Sequence, residues 1–284
     1  MTADNFLRGL ADDGHYLPLI KAHSLEKIQR HNYYAELFAT SMRKKWPQLA
    51  YVGLYSGAGR ARIENTGEII ETTAISAVRL PVPFDKYIFV DSDLECTQAL
   101  AARIAAASPE CAAAVIPGDV REIAPLVRHA LPTFGPGNGL LSFCFVDPFA
   151  ADLRFDTIRA LSSFRMDFLV LLMLGWDARV NFRRYYDDHT STRLGDLIDS
   201  PAWREEYLRA TDKHVVRFLL RKFDEAMVRL GYLPAAEDHY HRVTAVGKGV
   251  LQYVLVLYTK HPLGQQFWKQ ALAGSADQLG FELR

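Results

Sequence analysis

The spacing of apolar residues changes along the chain, and each change marks an element. From 24 to 45, Leu25, Ile28, Tyr33 or Tyr34, Leu37, Phe38 and Met42 recur every three or four positions, which predicts a helix capped by Ser24 and ended by "KKWP". Short, densely apolar runs follow at 49–55, 86–91, 113–119, 140–147 and 167–174, with the length and composition of buried strands. Helical patterns fill the gaps at 73–79, 94–107, 120–130 and 153–163. Strand and helix in alternation predict an α/β protein of Rossmann-like type, a mainly parallel sheet covered on both faces.

That rhythm breaks twice. After the first strand, "YSGAGRARIENTGE" sets two glycines and then a long polar stretch where a phosphate-binding or dinucleotide-binding turn would run straight into a helix. An extended segment is expected there. From 177 to 233 the chain is charged and helical up to a stop at Gly231, after which "HRVTAVG" and "GVLQYVLVLYTKHP" read as an antiparallel hairpin with a tight "GKG" turn, added to the sheet edge. The expected division is a helical N-terminal segment at 1–47, a Rossmann-like cofactor-binding core at 48–176, a helical insertion at 177–233 and a hairpin with a helix at 234–284. The insertion is expected beside the substrate mouth and apart from the core sheet.

Composition narrows the function classes. A chain of 284 residues that is 49% hydrophobic can bury a large core without staples. Cys96, Cys111 and Cys144 are odd in number and include no C-x-x-C pair, which reads as packing in a reducing cytoplasm. Runs such as "FLVLLML" fall far short of the roughly 20 residues of a membrane span, and no leader pattern opens the chain. A cytoplasmic protein with no membrane partner is expected. Basic and acidic residues balance at 33 each, so a polyanion site has to be local, and nucleic acid is only weakly supported as a partner. Arg179, Arg183 and Arg184 lie in and beside the aromatic "NFRRYYDDH", but interleaved acids make a solvated helix face the expected reading. "HYH" at 239–241 is expected as an exposed edge and not as a metal site. Serine hydrolase, zinc protease and P-loop motifs are missing from the sequence.

Ligands in such sheets collect at the carboxyl ends of the strands, so those ends carry the candidate chemistry. The first supplies Tyr55, Ser56, Gly57, Ala58 and Gly59, where glycines let backbone N–H groups approach a ligand. The second ends in Asp91, an acceptor for two ribose hydroxyls, with Asp93 the better cap for the helix that follows. At the third, Asp119 either accepts from an adenine amino group or caps a helix starting at Val120, and the sequence favours neither. The fourth ends in "FVDPF". Asp147 leaves a wholly apolar strand, Pro148 stiffens the turn and Phe149 offers a ring, a pairing suited to a flat amine that is hydrogen-bonded by the acid and stacked by the ring. Capping of the 152–163 helix is the weaker reading of Asp147, because Asp152 and Asp156 can do the same.

Five parallel strands followed by a terminal hairpin is the architecture of the class I S-adenosylmethionine-dependent methyltransferases. The segments "KKWPQLAYVGLYSGAGRARIENTGEII", "FDKYIFVDSD", "FCFVDPF", "SPAWREEY" and "YVLVLYTKHPLGQQFWKQAL" resemble the three-Cys-motif partner proteins, methyltransferase-like bacterial proteins named for a neighbouring three-cysteine protein, over nearly the whole chain. The resemblance implies S-adenosylmethionine as cofactor, with Tyr55, Ser56, Gly57, Gly59, Asp91, Asp119 and Val120 around it, and the polar stretch forming a loop or small hairpin over the site. "DPF" also resembles the aspartate-proline-proline-aromatic motif of amino-methylating nucleic-acid enzymes, one proline short. The expected function is methyl transfer to an amine of a nucleobase-like or small-molecule acceptor, with Asp147 and Phe149 in the catalytic roles. Two alternatives stand beside it: a cofactor-binding partner of the three-cysteine protein that has lost transfer, and a small-molecule enzyme of a biosynthetic or defence cluster. Departures from the family pattern occur at Tyr55-Ser56, Thr72-Thr73-Ala74 and Leu172-Met173-Leu174; those around strands one and five favour the first alternative, and the retained Asp91 and Asp147 count against it.

Overall fold

The computed structural model describes residues 6–245 and 249–279. In chain order the elements are β1 (Leu19–Ile20), α1 (Ser24–Met42), β2 (Gln48–Leu54), β3 (Arg60–Ile63), β4 (Ile69–Glu71), α2 (Thr73–Val78), β5 (Lys86–Asp91), α3 (Leu94–Ala107) and β6 (Ala113–Pro117). There follow α4 (Ala124–Ala130), β7 (Leu140–Val146), α5 (Phe155–Leu161), β8 (Met166–Leu172), a π-helical turn (Leu174–Ala178), α6 (Phe182–Asp187), α7 (Arg193–Ile198), α8 (Trp203–Arg209) and α9 (Val215–Arg229). A 3-10 turn (Glu237–His239), β9 (His241–Thr244), β10 (Leu251–Tyr258) and α10 (Pro262–Leu279) complete them.

The main sheet has the order β6-β5-β2-β7-β8-β10-β9. Its first five strands are parallel, and β10 runs antiparallel to β8 and β9 on either side of it. The two-residue period of the strands splits their side chains between two cores. Leu49, Tyr51, Phe89, Phe143 and Leu255 face α1, α2, α3 and α10, whereas Ala50, Val52, Cys144, Phe168 and Val254 face α4, α5 and the helices of 177–233. Leu194, Trp203, Phe218 and Phe223 belong to that second core, and Phe223 bridges Phe155 at 5.5 Å and Tyr258 at 5.6 Å between ring centroids. Residues 177–233 are therefore helical as expected but not apart from the sheet, because their apolar stripes need its face to bury against.

The polar stretch after Gly59 is a hairpin. β3 and β4 pair antiparallel, and β1 adds a third strand, so Ile63 and Ile70 can close a small core with Ile28 and Phe6. Several expected boundaries shift. Ser24 does not cap α1, since His23 holds that position with no side-chain cap. Asp93 does cap α3, accepting from the N–H groups of Glu95 and Cys96. α4 starts at Ala124 and not at Val120, and neither Asp152 nor Asp156 caps α5, whose N-cap is Arg154. The "HYH" segment is no exposed edge: His239 is buried under Trp268, whose indole N–H donates to its carbonyl, and His241 pairs with Glu26 at 2.8 Å. Of the expected "GKG" turn, Gly247 and Lys248 lie outside the described residues.

Candidate functional site

The chain leaves the central strand β2 toward β5 and β6, then crosses back to β7 and β8, so the sheet's switch point lies between β2 and β7. Residues 55–59 and 147–149 emerge side by side there, joined where the Asp147 N–H donates to the Leu54 carbonyl at 3.2 Å. The crevice that sequence reasoning placed at the strand ends thus has two banks.

The bank formed by β2 and β5 is held by backbone. Tyr55 sits at φ +61°, a left-handed conformation that costs a side-chain-bearing residue about 1–3 kcal/mol and turns the chain sharply off the strand. Gly57 and Gly59 continue the turn at φ +61° and +81°. A Cβ at Gly59 would strike Ile75 and Leu100 at 2.7 and 2.8 Å, whereas one at Gly57 would meet nothing within 4 Å, so Gly57 is the part of the turn that faces open space. Ser56 is a brace and not a ligand group, with its hydroxyl donating to the Gly53 carbonyl and accepting from Val90 N–H. Asp91 takes the Gly57 N–H on Oδ2 at 2.7 Å and the Asp93 N–H on Oδ1 at 3.0 Å, which leaves one lone pair on each oxygen.

Arg103, buried on α3, was not singled out in the sequence. It donates to both oxygens of Asp13 and to the carbonyls of His15, Tyr16 and Ala58, tying the segment before β1 to the glycine turn. The Arg103 hydrogen bonds hold the Asp13 carboxyl well below the usual range. Asp119 does not cap a helix. It accepts the N–H and guanidinium of Arg121, whose hydrogen bonds lower its pKa, while Val120 is buried beneath.

The bank formed by β7 and β8 is held by side chains. Both Asp147 oxygens accept from Lys27 Nζ, at 2.9 and 2.7 Å, with each side chain 17% exposed. Lys27 belongs to the first turn of α1, 120 positions earlier, and no local pattern marks it. Phe149 is 92% exposed. Behind it, buried Asp177 accepts from Ala151 N–H at 2.7 Å and from Asn181 and Tyr185, docking the Phe149 loop onto the π-helical turn. That turn presents Trp176, over which Lys21 Nζ lies 4.9 Å from the ring centroid. A π-helical turn next to a strand end is a frequent companion of binding sites. Asp152 also belongs to this region, with a carboxyl raised by burial and an Oδ1 that no protein group satisfies. Such an orphan is an acceptor awaiting a donor.

Strand order and crevice together define the class: this is the class I S-adenosylmethionine-dependent methyltransferase fold, with the reversed last strand, β10, inserted between β8 and β9. No protein-family model matches the chain, and no curated protein matches it. Among solved structures it is similar to the O-methyltransferase TomG of Streptomyces achromogenes, involved in tomaymycin synthesis and solved with S-adenosylmethionine. That likeness has 14% identity and a TM-score of 0.42, over 84% of this chain and 90% of that one. An O-methyltransferase from Bacillus cereus, in complex with S-adenosylhomocysteine, shows 10% identity over 80% of both chains with a TM-score of 0.42. A geranyl diphosphate methyltransferase solved with its substrate and sinefungin shows 13% identity and a TM-score of 0.40, over 80% of this chain and 77% of that one. No helix among the described residues is long and apolar enough to cross a membrane.

Proposed function

We propose that the protein is an S-adenosylmethionine-dependent methyltransferase acting on an amine of a base-like or small-molecule acceptor. The observation that carries this reading is an ammonium, that of Lys27, held by both oxygens of Asp147 at the switch point of a methyltransferase sheet. Asp147 can therefore seat an amine at this place in the crevice, and an acceptor amine takes the same seat when Lys27 withdraws.

The residues present fit the cofactor. Asp91 keeps one free lone pair per oxygen for two vicinal hydroxyls, Gly57 leaves room above the turn, and the Asp152 Oδ1 offers an unfilled acceptor. When bound, the cofactor supplies a methyl group on a sulfonium, with a neutral thioether as leaving group. Asp147 accepts hydrogen bonds from the N–H groups of the neutral amine and so orients its lone pair, Phe149 stacks the flat acceptor, and the proton that the methylated nitrogen sheds passes by way of Asp147 to solvent. Positioning is the protein's main contribution.

A second reading is favoured by the same ion pair. If Lys27 never leaves Asp147, the chain binds cofactor without transferring and serves as a partner of a three-cysteine-motif protein. The experiment that separates the two is S-adenosylhomocysteine calorimetry followed by labelled methyl transfer to cell extract, split into nucleic acid, protein and small-molecule fractions. Label in one fraction supports the enzyme. Cofactor binding with no label in any fraction, with the neighbouring protein added back, supports the partner. No cofactor binding by the folded wild type removes both.

A further inference from the structure

After β8, Trp176 on the π-helical turn, Arg179 and Val180 on the turn that follows, and Arg183 and Arg184 on α6 form one exposed stretch of chain. All five are exposed: Trp176 (53%), Arg179, Val180 (60%), Arg183 and Arg184. An aromatic ring, an aliphatic side chain and three guanidiniums in one solvated stripe are unusual in a chain whose total charge is zero. Its acids do not cancel it locally. Asp177, the one carboxylate between 176 and 184, is buried and saturated by Ala151, Asn181 and Tyr185 with Arg193 at 3.5 Å. Asp187 meets Arg183 at 3.8 Å with both side chains mostly exposed, a pairing of little strength, and at the far end the Asp188 carboxylate accepts from Thr190 while its backbone carbonyl accepts from Arg204. Lys21 adds a fourth cation over the Trp176 ring.

The stripe also leads to the crevice. The Ala151–Asp177 hydrogen bond ties the loop that carries the exposed Phe149 to the turn that carries Trp176, so exposed rings stand on both sides of that tie. Rings for base faces and cations for a backbone are the elements of single-strand nucleic-acid binding, in which stacking tolerates any base and the charge follows the phosphates. We infer that the exposed stretch Trp176–Arg184, with Lys21, is a docking track for single-stranded nucleic acid. The track delivers an unpaired base past Phe149 toward Asp147. This rests on the methyltransferase reading for its purpose but not for the binding itself.

The test is fluorescence anisotropy with labelled oligouridylate and oligothymidylate of about 20 nucleotides across a salt series. Wild type should bind, with log affinity falling about 0.7 per log salt for each phosphate contact. Replacing both Arg179 and Arg184 by alanine should lower that slope by about 1.4. Trp176→Ala should weaken binding about tenfold with the slope unchanged. Tighter binding of one oligomer assigns RNA or DNA. No binding by wild type at low salt overturns the inference, as do equal affinities of wild type and variants. Binding to phosphatidylserine vesicles or duplex DNA as tight as to single strands also overturns it, because the face would then read negative charge alone. S-adenosylhomocysteine calorimetry on the same samples keeps the failures distinct: cofactor binding without oligomer binding sinks the track, and the reverse sinks the methyltransferase reading.

Discussion

The two banks of the crevice solve the problem of holding polar groups in opposite ways. Along β2 and β5 most partners are backbone atoms: Asp91 grips the Gly57 and Asp93 amides, Ser56 grips Gly53 and Val90, and Arg103 grips the carbonyls of Ala58, His15 and Tyr16 together with the Asp13 carboxylate. Along β7 and β8 the partners are long side chains, with Lys27 on Asp147 and Lys21 on Trp176. A backbone-braced bank meets its ligand already ordered, which saves entropy on binding. A bank closed by a lysine can open, because the N–H groups of an incoming amine take the place of the Lys27 N–H groups on Asp147 and leave its oxygens hydrogen-bonded. One bank suits a resident cofactor, and the other suits exchange.

The sharpest way to break the contrast is to loosen the braced bank. Arg103→Ala removes a buried guanidinium from five acceptor atoms and should cost about 3 kcal/mol in urea unfolding, the low end for breaking a buried ion pair because Asp13 keeps some contact with water. A loss below about 1 kcal/mol would mean the strap is not held as described. On the opposite bank, Asp147→Asn should leave S-adenosylhomocysteine affinity intact and cut methyl transfer on the order of 10²-fold, since an amide keeps the shape but presents a single acceptor oxygen. Equal transfer by variant and wild type would clear Asp147 of a role in the chemistry. Lys27→Met makes the same bank report on exchange: the acceptor KM should fall, and an unchanged KM would mean that Lys27 does not compete with the acceptor for Asp147.

A smaller effect belongs to the cofactor bank. Asp91→Ala should weaken S-adenosylhomocysteine binding by about 1–3 kcal/mol, the cost of an unpaired polar partner, and unchanged calorimetry would remove the ribose role.

The smallest net effect lies beneath both banks, where α1 packs its own buried His31 and, through Tyr34, the half-buried Asp167 of β8. His31, between Asn32 and Tyr51, has its pKa lowered by burial to about 4, and Asp167, bonded by Tyr34, has its pKa raised by burial to about 6. A histidine with a lowered folded pKa loses stability as pH falls from its unfolded value of 6.5 toward about 4. A carboxyl with a raised folded pKa loses stability as pH rises from 3.8 to about 6. Between about 4 and 6 the two slopes oppose and nearly cancel. Asp167→Asn removes one of them, so its stability advantage over wild type should grow as pH rises through that window. A constant difference across the window would contradict the burial of Asp167.

Much of this was legible in the sequence. The alternation of strands and helices, the Asp93 cap and the extended character of 60–71 follow from local period and turn chemistry, which act over a few residues. Helix starts were less legible, as at Ser24 and Val120, because several polar residues compete to cap and tertiary packing chooses among them. The candidates at the strand ends, Asp91 and Asp147, could be named because an acid leaving an apolar strand stands out against its neighbours.

What those acids hold could not be named. Lys27 reaches Asp147 and Arg103 reaches Asp13 across 120 and 90 positions, and charged residues spaced so far apart carry no local signature of their pairing. The same limit hid the place of 177–233. Its helices were evident from their apolar stripes, but a stripe records only that a face is buried, and the sheet it is buried against is supplied by strands elsewhere in the chain. Sequence by itself determined the elements, their order and the acids at the crevice, since these depend on neighbours along the chain. Tertiary structure alone decided which cation faces which acid and which bank is braced, since those depend on neighbours in space.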